Sequence, residues 1–194
     1  MQLKPSFAEF KKLAKKGNTI PVYARIQGDL DTPVSAYLKT NPNYTGFLLE
    51  SVDGGRTQAR FSFIGVEPKR FVVADAHGAR LTDGERDLKK FGKLDPLEAL
   101  KQVLAGYRYV ASDDLPRFCG GAVGFLGYDA NRYFERLPEM KGRSTQPTLS
   151  FAIAEDLVVF DHLKRCMIIV CNAVINDTVQ AAYDDAVGRI ARIR

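Results

Sequence analysis

Leu149-Ser-Phe-Ala-Ile-Ala-Glu-Asp-Leu-Val-Val-Phe160, the link Asp161-His-Leu-Lys-Arg165 and the run Cys166-Met-Ile-Ile-Val-Cys-Asn-Ala-Val-Ile175 decide the fold class. β-branched and aromatic side chains dominate both flanking runs. The polar link is too short for the crossover that parallel strands require, so the pattern predicts two long antiparallel strands, 149–160 and 166–175. Cys166 and Cys171 stand five apart on the second of them, which turns their side chains to opposite faces.

Outward from this pair, Val179, Ala182, Tyr183, Ala186, Ile190 and Ile193 recur at helical spacing after Asp177 and predict a closing helix. Upstream, residues 20–26, 47–51, 60–66, 70–74 and 79–82 read as strands. Asp53-Gly54-Gly55, His77-Gly78 and Asp83-Gly84 read as turns, so residues 47–82 form an antiparallel meander. Helix starts are marked by the capping box Ser6-Phe7-Ala8-Glu9, with Gly17 placed as a C-cap, and by Thr32-Pro33 and Asp95-Pro96. Leu97, Leu100, Val103 and Leu104 share one face of the third of these helices. Residues 118–129 are glycine-rich and extended, leading to a short helix at 130–136 and a polar loop at 139–147. Helices around antiparallel strands make the chain α+β, read as one domain over residues 1–194.

Composition narrows the function. A chain of 194 residues, 45% hydrophobic and 26% charged, buries a full core without staples. Its longest apolar stretch, 166–175, is about half the ~20 residues of a membrane span, and the N-terminus lacks the apolar core of a signal peptide. The expected location is therefore the cytoplasm. Three cysteines without CxxC spacing read as reduced thiols, and two distant histidines make a zinc site improbable. The net charge of +5 resides in residues 1–28, where Lys4, Lys11, Lys12, Lys15, Lys16 and Arg25 face one acidic residue, Glu9. The remainder carries 22 basic and 22 acidic side chains and is neutral, so the excess reads as one solvated helix face rather than a nucleic-acid patch.

Few residues suggest chemistry. Gly120-Gly121-Ala-Val-Gly124-Phe-Leu-Gly127 lacks the spacing of a phosphate loop, and glycines inside a strand serve close backbone approach or a bend. No GxSxG elbow is present. Glu155-Asp156 and Asp184-Asp185 read as solvated acidic pairs. Glu50 and Ser51 end an apolar strand and could present a carboxylate and a hydroxyl to a small ligand. Arg60, opening the next strand, would complement a ligand carboxylate or pair with Glu50.

At Phe47-Leu-Leu-Glu-Ser51 the chain resembles anthranilate synthase component I, the large subunit. The resemblance continues through Ile20-Pro-Val-Tyr23, Asp31-Thr-Pro-Val-Ser-Ala-Tyr37, Arg60-Phe-Ser-Phe-Ile-Gly65 and Phe118-Cys-Gly-Gly-Ala-Val-Gly-Phe-Leu-Gly-Tyr-Asp129. These motifs are ordered and spaced as in the family, and they cover nearly all of the chain. The resemblance is to the N-terminal, regulatory part of the family's fold. It implies a parent enzyme, a lyase, converting chorismate and ammonia to anthranilate and pyruvate. The ammonia would come from glutamine through a glutamine amidotransferase subunit, component II. Chorismate and Mg²⁺ would bind a C-terminal domain with no counterpart here, so the expectation is an inactive fragment with no cofactor or catalytic residue of its own. L-Tryptophan is the implied feedback inhibitor, with Ser51 as its contact, Glu50 beside it and Arg60 as a basic pocket residue. Alternatives are the aminodeoxychorismate synthase subunit of folate synthesis and a free-standing amino-acid-binding module.

Overall fold

The computed structural model describes residues 2–28, 30–43, 45–50, 60–75, 77–84, 86–92, 94–135 and 146–194, apart from the Arg132 side chain. The α+β expectation holds. Among the described residues, two antiparallel sheets and four α-helices divide between two compact units.

The first unit comprises Met1–Pro68, Tyr107–Gly121 and Ala154–Arg194. Its strands are β1 (Leu3–Lys4), β2 (Thr19–Gln27), β3 (Phe47–Leu49), β4 (Phe61–Gly65), β10 (Asp156–Asp161) and β11 (Cys166–Val174). They lie in the order β1-β2-β11-β10-β4-β3. The predicted hairpin forms its centre: Asp156 pairs with Cys171 and Asp161 with Cys166, while β11 pairs along its other edge with β2 from Cys166–Gln27 to Val174–Thr19. Both faces of this sheet are apolar. Ile20, Val22, Val158, Phe160, Ile169 and Cys171 line one face, and Leu157, Val159, Ile168 and Val170 the other.

Helices cover the first face. α1 (Phe7–Leu13) begins with the predicted capping box, Ser6 receiving the Glu9 amide and Glu9 returning to the Ser6 amide. α2 (Pro33–Thr40) is capped by Thr32 and packs on β3 and β4. The last helix, Val179–Ile193, lays Ala186 and Ile190 into the core. Its Arg189 guanidinium ties it to the sheet by donating to the Asp156 carboxylate and, at 2.9 Å, to the Asn172 carbonyl. Asp156 is thus an ion-pair partner, 18% exposed, and not the solvated acid that its sequence suggests. Asp184 and Asp185 are hydrogen-bonded to Gln180 and Arg189.

The second unit comprises Lys69–Gly106 and Ala122–Ile153. Its sheet runs β7-β6-β5-β9-β8, from β5 (Arg70–Asp75), β6 (Gly78–Asp83), β7 (Arg86–Gly92), β8 (Gly121–Leu126) and β9 (Leu149–Ala154). α3 (Pro96–Ala105), capped by Asp95, packs on β5 and β6, which makes the closing helix α4. A Cβ on Gly124 would sit 1.9 Å from the Ser150 carbonyl oxygen, which explains a glycine within β8.

The structure revises several expectations. The stretch 149–160 is two strands, divided at Glu155 and assigned to different sheets. The supposed meander is likewise shared, β3 and β4 joining one sheet and β5 and β6 the other. β7 escaped the sequence reading because an edge strand exposes mostly charged side chains, here Arg86, Asp87, Lys89 and Lys90. α1 ends at Ala14 rather than at Gly17, and a Cβ on Gly17 would collide with the Arg108 carbonyl oxygen at 2.2 Å. The predicted helix 130–136 is a 3₁₀-helix at Tyr128–Tyr133, and most of the polar loop at 139–147 lies outside the described residues. No described helix is long and apolar enough to cross a membrane.

Ile169 is 1% exposed on the central strand. Truncation to alanine removes buried methylene groups and leaves a cavity, so Ile169→Ala should cost about 2–5 kcal/mol in urea unfolding followed by circular dichroism. Leu163→Ala, at an exposed turn, should stay within about 0.5 kcal/mol of wild type.

Candidate functional site

β3 ends as the chain leaves the sheet, and Glu50 follows it directly. Antiparallel pairing sets the surroundings. Leu49 lies opposite Phe63 and Ser62 opposite Phe160, so the end of β3, the start of β4 and the end of β10 converge at one edge of the first unit's sheet. Glu50 is exposed, and its Oε1 lies 3.3 Å from the Ser62 hydroxyl. Ser62 is buried, and the same hydroxyl lies 2.7 Å from His162 Nε2. The His162 ring stacks on Phe160 at 6.2 Å, while its backbone amide donates to the Arg60 carbonyl oxygen at 2.9 Å.

Arg60 reaches a different carboxylate. Its Nε and Nη2 donate to Asp161 at 3.1 and 2.8 Å, a bidentate pair, and its guanidinium lies 4.6 Å from the Phe61 ring centroid. Asp161 is 3% exposed and also accepts the Lys164 amide at 3.1 Å. Burial alone would raise the Asp161 carboxyl, but the Arg60 hydrogen bonds and the Lys164 amide outweigh it and hold the group below the usual carboxylate range. The Glu50–Arg60 pairing weighed from the sequence is therefore replaced by Arg60–Asp161. Of the three predicted ligand residues, Glu50 and Arg60 flank this sheet edge, and Ser51 lies outside the described residues, as does the Asp53-Gly54-Gly55 turn.

Asp161 and His162 had no motif to announce them, and Ser62, though inside the Arg60–Gly65 motif, was not singled out by it. Ser62 carried one usable signal, a hydroxyl at an inward position between two phenylalanines of Arg60-Phe-Ser-Phe-Ile. Asp161 ends β10 and His162 follows it in the hairpin link, about a hundred residues away in sequence, and only the β4–β10 register brings them close.

The remaining polar features divide into structural groups and one separate cleft. The three cysteines are free, and burial pushes the Cys119 thiol up to about 12 and the Cys171 thiol higher still, which removes both as thiolate nucleophiles at neutral pH. A cleft of about 560 Å³ in the first unit is lined by Lys4, Lys12, Lys16, Tyr23 and Asp114 among others. Its two carboxylates are already engaged: Asp114 accepts from Lys4 at 3.0 Å and from the Tyr23 hydroxyl at 2.8 Å, and Glu9 accepts from the Ser6 amide at 2.9 Å and the Ser6 hydroxyl at 2.8 Å. Among the described residues no group of three or more His, Cys, Asp or Glu side chains is placed to hold a metal ion.

The chain is similar along nearly its whole length to proteins of one name. It is 35% identical over 191 residues to anthranilate synthase component 1 of Acetivibrio thermocellus, covering 97% of this chain and 38% of that protein. The probable anthranilate synthase component 1 of Schizosaccharomyces pombe is 35% identical over 201 aligned residues, covering 100% and 38%. That of Mycolicibacterium smegmatis is 36% identical over 189 residues, covering 94% and 36%. The crystal structure of anthranilate synthase component I from Streptococcus pneumoniae superposes with a TM-score of 0.52 over 87% of this chain and 36% of that one. At 22% identity that likeness speaks to the fold. No family model matches the sequence. The chain spans little more than a third of the length of these relatives.

The Arg60–Asp161 pair predicts a pH-dependent contribution to stability. A carboxylate held low in the folded state stabilises it fully above its unfolded pKa of about 3.9, and that stabilisation is lost as pH falls through the folded value. Asp161→Asn should therefore lower the urea midpoint at pH 7, and the deficit should shrink as pH falls below the unfolded carboxyl value of about 3.9. A deficit that does not shrink would assign the loss to packing instead.

Proposed function

The chain belongs to the anthranilate synthase component I family, matching part of its members' length, and we propose that it is their N-terminal, tryptophan-sensing part. The observation that carries this reading is the 94–100% coverage of the chain by relatives that share one name. The parent reaction is then the lyase conversion of chorismate and ammonia to anthranilate and pyruvate. Component II, the glutamine amidotransferase, supplies the ammonia, and the remaining length of component I binds chorismate and Mg²⁺. On this reading the catalytic groups for that reaction belong to the remaining length of component I. Their free thiols suit the cytoplasm.

The ligand reading places L-tryptophan at the end of β3. Glu50 offers a carboxylate to the amino acid's ammonium group, and Ser51, next in sequence, supplies a hydroxyl. Arg60 stands near with two of its nitrogens engaged by Asp161, so its contribution to a ligand carboxylate comes from the rest of the guanidinium. Inhibition follows if tryptophan binds better to an arrangement of the enzyme unfavourable to chorismate, since a ligand shifts an equilibrium only through differential affinity. The folate-pathway alternative draws no support from the relatives, which are named for anthranilate synthesis.

The sequence contains no tryptophan, so indole emission in a titration reports the added amino acid alone. With half of the pocket supplied by the rest of component I, the 194-residue chain should bind L-tryptophan weakly or undetectably, and component I of full length should bind it saturably. Tight, saturable binding by the chain alone would overturn the shared pocket. Within component I, Ser51→Ala should raise the tryptophan concentration for half-inhibition about threefold to tenfold, the worth of one hydrogen bond.

A further inference from the structure

Glu50, Ser62 and His162 form a line of hydrogen-bonding groups that neither the ligand reading nor the sheet requires. The Ser62 hydroxyl has one proton and two possible recipients, Glu50 Oε1 at 3.3 Å and His162 Nε2 at 2.7 Å. An ionised carboxylate only accepts, so Glu50 is satisfied when the serine donates to it and takes a proton donor from Nε2 in return. Donation then runs in one direction, from His162 through Ser62 to Glu50. The arrangement is braced on three sides. Ser62 lies within β4, 3% exposed; Phe160 stacks on the imidazole; and the His162 backbone amide is bonded to Arg60. Among the described residues Oε1 is the only bonded atom of the Glu50 carboxylate, which leaves Oε2 for a ligand.

We propose that Ser62 and His162 are positioning residues that hold the Glu50 carboxylate in the orientation that receives the ammonium group of an amino-acid ligand. The inference rests on the assignment of Glu50 to the ligand site. A glutamate at an exposed strand end otherwise samples many rotamers, and ordering it on binding costs affinity. A donor buried beneath it removes part of that cost before the ligand arrives. The neutral imidazole serves in the tautomer carrying hydrogen on Nε2, and a glutamine at position 162 carries an equivalent N–H donor.

The test is equilibrium dialysis of labelled L-tryptophan against component I carrying this sequence, with indole-3-propionate, which lacks the ammonium group, as a second probe. Ser62→Ala and His162→Leu should weaken L-tryptophan about threefold to tenfold and leave indole-3-propionate unchanged, whereas His162→Gln should restore most of the affinity. Ser62→Ala added to Glu50→Gln should weaken binding no further than Glu50→Gln alone. Position 162 is exposed, so its variants report even if the buried serine cannot be replaced without unfolding. If Glu50→Gln weakens L-tryptophan while His162→Leu and Ser62→Ala do not, the positioning role is overturned and the ligand site stands. Equal weakening of both probes would make the two residues structural supports only. An unaffected Glu50→Gln enzyme would overturn the ligand site and this inference together.

Discussion

The pairing of β11 with β2 on one edge and β10 on the other is the constraint on which the first unit depends. β11 is buried on both faces and sits inside the sheet, so its backbone groups are satisfied only when both neighbours are in register. β10 comes from across a tight link, but β2 lies well over a hundred residues earlier in the chain. That long-range pairing is entropically costly to form, and the apolar residues it buries on both faces offset the cost. Once β10 is placed, β4 follows on its outer edge and β3 on β4, and the polar residues at the strand ends arrive at one edge.

What gathers there is divided by charge and burial. Arg60 and Asp161 neutralise one another in a bidentate pair whose carboxylate is almost fully buried, a geometry that ties the start of β4 to the end of β10. Glu50 and His162 remain exposed, joined through a buried hydroxyl. The first arrangement suits a structural clasp and the second a binding edge, because a buried pair has little left to offer a ligand while an exposed carboxylate with one oxygen anchored does. Arg189 shows the clasp logic again on the helical side, where one guanidinium joins α4 to Asp156 and to the backbone of β11.

Local signals in the sequence were read well. Each N-capping residue named from the sequence, Ser6, Thr32 and Asp95, caps its helix, because an N-cap is a contact within three residues and needs no tertiary partner. The apolar stripe of α4 and the 161–165 hairpin link were equally legible. Glu50 and Arg60 could be named as candidates, but the partner of Arg60 could not, since Asp161 is reached only through the β4–β10 register. Glu155 carries no breaker signal, yet the chain changes sheets there, because what divides β9 from β10 is which neighbours each half finds.

The sequence by itself determined the starts of the N-capped helices, most of the strands, the α+β class and the kinship of the chain, all of which rest on local spacing and residue identity. Only the tertiary structure decided which strands share a sheet, which carboxylate holds Arg60, and that Ser62 lies between Glu50 and His162. The physical reason is the period of a β-strand. It states which face a residue takes, whereas the register that selects its neighbour is set by pairings between segments far apart in the chain.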